Sequence, residues 1–350
     1  MEEVGLKRLT GDALDRYFGT LLDRFQIWAP VCIPAGGRYQ GQDAVQYKPV
    51  SNWRDIVWDR RSDYSSREAI LPITQTLYTF TGDDYREVKP KQAKDLLILA
   101  RSCDIHAIRH LDEIFLQNGG YEDSFYRRVR DKVHFALMEC THEFDGCFCV
   151  SLGTNDTDDY AMRLAFDDEG IFFEAKDPSL DCADATPSDR AFSNPTENEL
   201  KVEFPEFRSI EEVNELKSHP MWDEYNSRCI SCGACTIVCS TCTCFETRDI
   251  VYSLNHHVGE RRRTASSCMV AGFDAVAGSK GIRLEAKDRY RYKIMHKIYA
   301  HDARFHTGPM CVGCNRCSAH CPQLISYPAT INKVSQALRE IREQEVGYGE

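Results

Sequence analysis

The strongest constraint on this chain is a cysteine pattern that occurs twice in its last third. Seventeen of the 350 residues are cysteines, and eleven of these lie between Cys229 and Cys321. In each repeat, two residues lie between the first and second cysteines and two between the second and third. Three residues lie between the third and fourth cysteines. The repeats comprise Cys229, Cys232, Cys235 and Cys239, then Cys311, Cys314, Cys317 and Cys321. So many thiols in a reducing compartment favour metal ligation over disulfides.

This spacing is typical of bacterial ferredoxins, which hold [4Fe–4S] clusters. Three thiolates of one run close on one cluster, while we expect the fourth cysteine to start a helix and ligate the other cluster. Gly233 and Gly313 suit loops in which the backbone passes close to sulfide. The predicted ligands are Cys229, Cys232, Cys235 and Cys321 for the first cluster, and Cys311, Cys314, Cys317 and Cys239 for the second.

Two alternatives to this ligand set stay open. Ser240 stands where the ferredoxin pattern has a proline, which only the second run keeps as Pro322. Cys242 is therefore an alternative to Cys239 as the fourth ligand. Zinc usually takes two separated cysteine pairs, and a zinc-stabilised interaction module is the non-redox alternative. We expect the remaining thiols Cys242, Cys244 and Cys268 to be small buried hydrophobic residues.

The N-terminal part of the chain has the alternation of an α/β domain. Helical spacing predicts an amphipathic helix from Asp12 to Trp28. Continuous apolar runs predict buried strands at Leu96–Ala100 and Val133–Met138, and the first is followed by a predicted helix, Ile105–Phe115. This strand–turn–helix order favours a sheet covered by helices.

A polar segment from Asp181 to Asn198 indicates a linker. We place the domains at 1–190 and 200–350, with predicted helices Ile210–Tyr225 and Ala329–Gln344 in the second. The predicted fold class is α+β: an N-terminal α/β domain followed by a C-terminal, mostly helical dicluster ferredoxin-like domain.

Four further cysteines suggest a third cluster in the N-terminal half. Cys103 and Cys140 each follow a predicted strand, and Cys147 and Cys149 form a pair in a turn. Strand ends converge on one edge of an α/β sheet, where sites usually form. Their spacing matches no common ferredoxin run, so scattered structural cysteines are an equally weighted alternative.

Charge and hydropathy narrow the function classes. A net charge of −11 argues against a nucleic-acid partner, which requires a basic surface. No apolar run approaches the length of a membrane-spanning helix, so we expect no membrane partner. The acidic segment Met1–Gly5 lacks an apolar core, so we expect no secretory signal and a cytoplasmic location.

Several longer segments resemble one family of iron–sulfur subunits. They are Cys229–Phe245, Thr264–Phe273, Cys311–Pro322, Arg101–Ile108 and Cys147–Cys149. The chain resembles the iron–sulfur subunits of anaerobic sulfite reductases most closely, and also the beta subunits of soluble cytoplasmic [NiFe] hydrogenases. The resemblance covers nearly the whole chain, and it raises the expectation of a third [4Fe–4S] cluster on Cys103, Cys140, Cys147 and Cys149.

The resemblance implies an electron relay. In the sulfite reductase, a flavin subunit takes electrons from NADH and a sirohaem subunit reduces sulfite to sulfide, with the iron–sulfur subunit between them. The chain has no G-x-G-x-x-G fingerprint after a strand and no catalytic constellation, so we predict no catalytic residue of its own. The alternative function is the beta subunit of a cytoplasmic [NiFe] hydrogenase or sulfhydrogenase.

Overall fold

The computed structural model describes residues 6–89, 93–255, 257–278 and 280–347. The chain divides into two compact units. The first comprises Met1–Phe144, Thr154–Thr196 and Glu246–Ala265, and the second comprises Asp145–Gly153, Glu197–Phe245 and Ser266–Glu350. The units are therefore interleaved along the chain, whereas the sequence predicts a single boundary. The division into domains at 1–190 and 200–350 stays a prediction.

The first unit is built on β-sheets. Its strands are β1 (Lys7–Thr10), β2 (Phe25–Ile33), β3 (Ala44–Pro49), β4 (Thr74–Thr81), β5 (Asp84–Glu87), β6 (Asp95–Ala100), β7 (Val133–Met138), β8 (Met162–Phe166), β9 (Gly170–Ala175), β10 (Thr186–Pro187), β11 (Phe245–Val251) and β12 (Val258–Ala265). Eight of them form a mixed sheet in the order β10-β1-β9-β8-β7-β6-β2-β3, and a smaller sheet has the order β11-β12-β4-β5. In the large sheet β2, β6, β7 and β8 run parallel, and the other pairings are antiparallel.

Helices cover both faces of the large sheet. They are α1 (Gly11–Arg24), α2 (Ser102–Leu116) and α3 (Ser124–Arg130). Because side chains alternate along a strand, Leu97 and Leu99 of β6 pack in one core with residues of α1. Leu96 and Ile98 pack in the other core with residues of α2 and α3. A strand buried on both faces needs the continuous apolar run seen in β6, and the predicted strands at Leu96–Ala100 and Val133–Met138 are confirmed.

The first predicted helix is shorter than expected. It ends at Arg24, because Phe25 already has the extended backbone of a strand, with φ −122° and ψ 151°. Phe25 begins β2, which pairs in parallel with β6 from Phe25 to Trp28. The apolar spacing of Phe25 fits a helix as well as a strand, and pairing with the buried β6 decides between them.

The second unit is mostly helical. Its helices are α4 (Ile210–Ser218), α5 (Glu224–Arg228), α6 (Ala234–Ile237), α7 (Ala286–Met295), α8 (His301–Phe305), α9 (Arg316–Ala319) and α10 (Tyr327–Gly347), with a π-helical turn at His296–Ala300 between α7 and α8. A small two-stranded sheet pairs β13 (Ala275–Val276) with β14 (Lys280–Gly281). The core of this unit includes Trp222, Tyr225, Ile294, Ile331 and Leu338.

The helix predicted over Ile210–Tyr225 is interrupted. The Ser209 hydroxyl accepts a hydrogen bond from the Glu212 backbone N–H at 3.2 Å and caps the start of α4. The helix stops at Ser218, and Pro220 starts a separate 3-10 turn. Proline has no N–H and disfavours helical backbone in the residue before it, which explains the break.

The long C-terminal helix is confirmed, with slightly wider bounds than predicted. Its residues Ile331, Val334 and Leu338 are fully buried, as their helical spacing predicts. Within the described residues, none of the helices combines the length and the apolar character that crossing a membrane requires.

Candidate metal centres in the second unit

The two cysteine runs adopt the same backbone. In the first run Ser231 and Gly233 have positive φ angles of 56° and 78°. In the second run Gly313 and Asn315 occupy the equivalent positions, with φ of 68° and 53°. Two left-handed residues in each run curl the chain, so that its first three cysteines surround a common centre.

A short helix follows each curl, but it does not begin at the fourth cysteine as the sequence predicts. The third cysteine of each run, Cys235 or Cys317, lies on the short helix α6 or α9. The expectation that the fourth cysteine begins a helix is wrong, because Cys239 and Cys321 both follow the end of one. With only four residues, each helix completes about one turn before its fourth cysteine.

The predicted ligands of the first cluster line one cavity. That cavity brings together all four thiols of the set, and its wall also includes Cys317, Tyr290 and Lys293. The first-set ligands are Cys229, Cys232, Cys235 and Cys321. A fourth cysteine from the second run therefore reaches the loop of the first run, as a crossed arrangement requires. The individual ligand assignments stay predictions.

The predicted ligands of the second cluster are also neighbours. Burial raises the pKa of Cys317 well above its ordinary value, and the negative charge that Cys239, Cys314 or Cys311 carries when ionised raises it further. Burial also raises the pKa of Cys311 to about 12. Thiols held protonated by burial must release their protons to bind metal, so metal binding here is coupled to pH.

Cys239 and its alternative, Cys242, are in contact. The pKa of Cys239 lies well below its ordinary value, chiefly because the Cys242 thiol donates a hydrogen bond to it. The Thr241 hydroxyl lies 3.5 Å from the Cys239 sulfur. The lowered pKa of Cys239 favours the thiolate, which is the form that binds metal. The contact leaves the choice between the two ligands to experiment.

The cysteines outside the predicted ligand sets, Cys242, Cys244 and Cys268, contact other cysteines. Cys242 and Cys268 are buried, as predicted for small hydrophobic residues, whereas Cys244 is only partly buried. The Cys268 thiol donates a hydrogen bond to the sulfur of Cys244. This contact lowers the pKa of Cys244 and raises the pKa of Cys268. The Cys244 carbonyl also accepts a hydrogen bond from the Ser266 backbone N–H at 2.9 Å, which holds the two segments together.

Buried basic residues lie around the two loops, and Arg289, Lys293 and Lys297 among them follow a regular spacing in the sequence. Arg289, Lys293 and Lys297 are 6%, 2% and 4% exposed, and Arg316 is 1% exposed. Arg316 donates to the Ser240 hydroxyl at 2.8 Å. Burial opposes the charge of Lys293, but neighbouring thiolates, that of Cys235 most, raise its pKa well above its ordinary value. The available signal was the four-residue spacing of Arg289, Lys293 and Lys297 along the helical segment formed by α7 and the π-helical turn.

The four thiols of the proposed third cluster belong to different units. Cys103 and Cys140 follow the carboxyl ends of β6 and β7, which are parallel neighbours in the first unit. Cys147 and Cys149 belong to the second unit, where the Cys147 sulfur lies 3.9 Å from the Cys314 carbonyl oxygen. A cluster held by these four thiols therefore stays a prediction.

The geometry of the second unit suits a cluster better than a single ion. A zinc ion bound at about 2.3 Å by four thiolates would hold their sulfurs about 3.8 Å apart. Among the described residues, no three of these cysteine sulfurs lie within 4.8 Å of one another. The thiols instead surround a larger space with buried cations around it, which fits an anionic iron–sulfur cluster.

Comparison with known proteins agrees with this geometry. Residues 228–325 match the family described as a 4Fe-4S dicluster domain. The chain is 27% identical over 353 residues to the sulfhydrogenase 2 subunit beta of Pyrococcus furiosus, an alignment that covers 95% of this chain and 98% of that protein. No solved structure matches the chain significantly. These findings support an iron–sulfur electron-transfer subunit related to hydrogenase beta subunits, with [4Fe–4S] clusters in its C-terminal part.

Proposed function

We propose that this chain relays electrons within an NADH-dependent sulfite reductase, from a flavin subunit to a sirohaem subunit. The observation that carries the relay is the pair of equivalent cysteine loops, whose predicted ligands are brought together in one unit. Clusters held there supply one-electron transfer. The resemblance of the longer cysteine-containing segments to the iron–sulfur subunits of anaerobic sulfite reductases supports the choice of partners.

The chain's own residues serve this role by holding and insulating the clusters. Apolar and aromatic side chains, among them Met269, Tyr290 and Tyr327, are buried around the first ligand set. Burial limits access of water to the thiolates, and the solvent exposure of a cluster is one determinant of its potential. The exposed Cys232 lies on the solvent side of the first loop, where an electron from a partner can enter.

A second candidate function rests on the curated relative. The 27% identity to a sulfhydrogenase beta subunit extends over nearly the full length of both chains. It favours a beta subunit that exchanges electrons with a [NiFe] centre. Both candidates assign the same relay role to this chain and differ in the partner that receives or supplies the electrons.

Reconstitution with separate partners tests the proposal. The chain, loaded with iron and sulfide, is mixed with a flavin subunit and a sirohaem subunit, and NADH oxidation and sulfide formation are followed. We expect turnover only when all three are present, and none with Cys232→Ala, which lacks a cluster ligand. Turnover by the purified chain alone, or by the two partners without it, would contradict the relay. Hydrogen-dependent reduction of the clusters through a [NiFe] subunit, without sulfite reduction, would favour the second candidate.

Iron analysis tests the third cluster separately. Three cubanes predict about twelve irons per chain, and two predict about eight. We expect Cys103→Ser to lower the count by about four while leaving the signals of the other two clusters in place. A wild-type count of about eight that Cys103→Ser leaves unchanged would exclude the third cluster.

A further inference from the structure

Two lysines of the second unit are buried beside the cysteine loops. Lys293 lies on α7 and Lys297 lies four residues later in the π-helical turn, and their exposed fractions are 2% and 4%. Residues four apart lie on the same side of a helix, so both side chains extend in the same direction. π-Helical turns are uncommon and are frequent at functional sites.

The ammonium group of Lys297 is fully engaged. Its Nζ donates to the Thr241 carbonyl oxygen at 2.9 Å and to the Thr241 hydroxyl at 2.8 Å, and it lies 3.4 Å from the Met310 sulfur. An ammonium group has three N–H donors and no acceptor, so three surrounding acceptors match its protonated form. The same Thr241 hydroxyl lies 3.5 Å from the Cys239 sulfur, which places the charge beside a predicted ligand of the second cluster.

Lys293 lies against the other ligand set. Its Nζ donates to the carbonyl oxygen of Cys235 at 2.9 Å. The residue also lines the cavity that contains the predicted first-cluster ligands, together with Cys317 of the second set. Its charge is therefore close to both predicted clusters, whereas that of Lys297 is close to Cys239.

Neither lysine has a carboxylate counter-ion among the described residues. In the part of the chain that the structure describes, no Asp or Glu oxygen lies within 4.0 Å of either Nζ atom. The lysine ion pairs found in this unit involve other lysines. Lys287, one residue into the same helix, is by contrast partly exposed and pairs with Asp223 at 2.8 Å and Glu285 at 3.3 Å. A buried charge without a counter-charge is strongly destabilising, and anionic clusters held by the neighbouring cysteines would supply one.

We propose that Lys293 and Lys297 are built-in counter-ions of the two clusters, and that Lys297 raises the reduction potential of the cluster that Cys239 ligates. The inference rests on the proposed relay function, because it requires both clusters to be present. Reduction adds one negative charge to a cluster, and a fixed positive charge nearby stabilises that charge. The cluster beside Lys297 is then the preferred site of the electron within the pair.

Redox titration of the reconstituted full chain, followed by electron paramagnetic resonance, tests this inference. We expect Lys297→Met to lower one midpoint potential by at least about 59 mV, a tenfold change in the ratio of reduced to oxidised cluster. The second midpoint should move less, and Lys297→Arg, which keeps the charge, should stay close to wild type. Lys287→Met is the matched control from the same helix and should change neither potential.

Iron and sulfide content separates the possible failures. A wild-type chain without [4Fe–4S] clusters would refute the proposed function itself. Full iron content with unchanged potentials in Lys297→Met would overturn the counter-ion inference alone. Lys297→Gln keeps a donor to Thr241 without the charge. It replaces Lys297→Met in the redox titration if the Met variant loses iron. If both neutral variants lose the second cluster, retention of iron by Lys297→Arg supports the inference, and its loss from the Arg variant overturns it.

Discussion

The two cysteine loops share a backbone but have different surroundings. Ile230 in the first loop is 57% exposed, and its counterpart in the second loop, Val312, is 2% exposed. Cys232 is likewise exposed, whereas its counterpart Cys314 is partly buried. The same spacing therefore produces one loop near solvent and one inside the core.

The glycines of the two loops, Gly313 and Gly233, occupy different positions in their runs and also have different surroundings. A Cβ atom on Gly313 would lie 2.5 Å from the Cys149 backbone nitrogen, which is a forbidden distance. A Cβ atom on Gly233 would lie 3.0 Å from the Ser267 hydroxyl oxygen, the end of a side chain that can move. The cysteine spacing thus determines the curl of each loop, whereas the neighbouring segments determine how much change each loop tolerates.

The largest expected effect is loss of a cluster ligand, and it tests whether the loops are equivalent as metal sites. We expect Cys232→Ala and Cys314→Ala each to lower the iron content by about four, because each removes one of the four thiolates that hold a cluster. The second-unit helices should also lose thermal stability, since ligation supplies folding free energy. Iron and sulfide analysis and circular dichroism measure the two effects.

The contacting pair Cys239 and Cys242 provides the control for that experiment. If Cys239 is the ligand, Cys239→Ala lowers the iron content and Cys242→Ala leaves it unchanged. The reverse result would replace Cys239 by Cys242 in the second cluster. Unchanged iron in both Cys232→Ala and Cys314→Ala would contradict the ferredoxin-type assignment altogether.

Glycine substitution should separate the two loops. We expect Gly313→Ala to destabilise the protein by about 2–4 kcal/mol, because a left-handed residue with a Cβ atom is strained and this Cβ also meets fixed backbone. Gly233→Ala should cost about 1–2 kcal/mol, mostly from the backbone conformation. Thermal midpoints of the iron-loaded variants give the order, and equal shifts would contradict the difference in Cβ contacts between the two glycines.

The smallest expected effect on stability comes from the residues other than glycine that have a left-handed backbone conformation, Ser231 and Asn315. Among the described residues, the buried side-chain oxygen of Asn315 has no hydrogen-bond partner, whereas the hydroxyl of Ser231 accepts a hydrogen bond from Arg289 at 2.9 Å. We expect Asn315→Gly to raise stability by about 1 kcal/mol, since it relieves both backbone strain and the unsatisfied atom. Ser231→Gly should change stability less, because it also loses a hydrogen bond. A higher thermal midpoint for Ser231→Gly than for Asn315→Gly would contradict this account.

Much of the fold could be predicted from local sequence signals. The buried strands at Leu96–Ala100 and Val133–Met138 appear at their predicted positions, because a run that is apolar on both sides can only lie inside a sheet. The limits of the helix that begins near Asp12 could not be predicted, because Phe25 satisfies either periodicity. The partner strand β6, which lies about seventy residues later in the chain, decides its conformation.

The candidate site likewise has features that the sequence predicted and features that it did not. The spacing of the cysteines predicted two loops that exchange their fourth thiols, and the first ligand set does line one cavity. The left-handed backbone conformation of Ser231 and Asn315 was not predicted, because residues other than glycine adopt a positive φ only uncommonly. The buried lysines were missed because lysine is ordinarily a surface residue.

By itself, the sequence determined the chemistry of this protein, because the spacing of covalently linked thiols limits which metal centre they can surround. Net charge and the arrangement of apolar runs likewise follow from composition and order alone. Only the tertiary structure decided that Cys242 contacts Cys239, that Cys244 contacts Cys268, and that Lys297 lies beside Thr241. These contacts join residues whose side chains could point in many directions, and packing of the surrounding helices selects one of them.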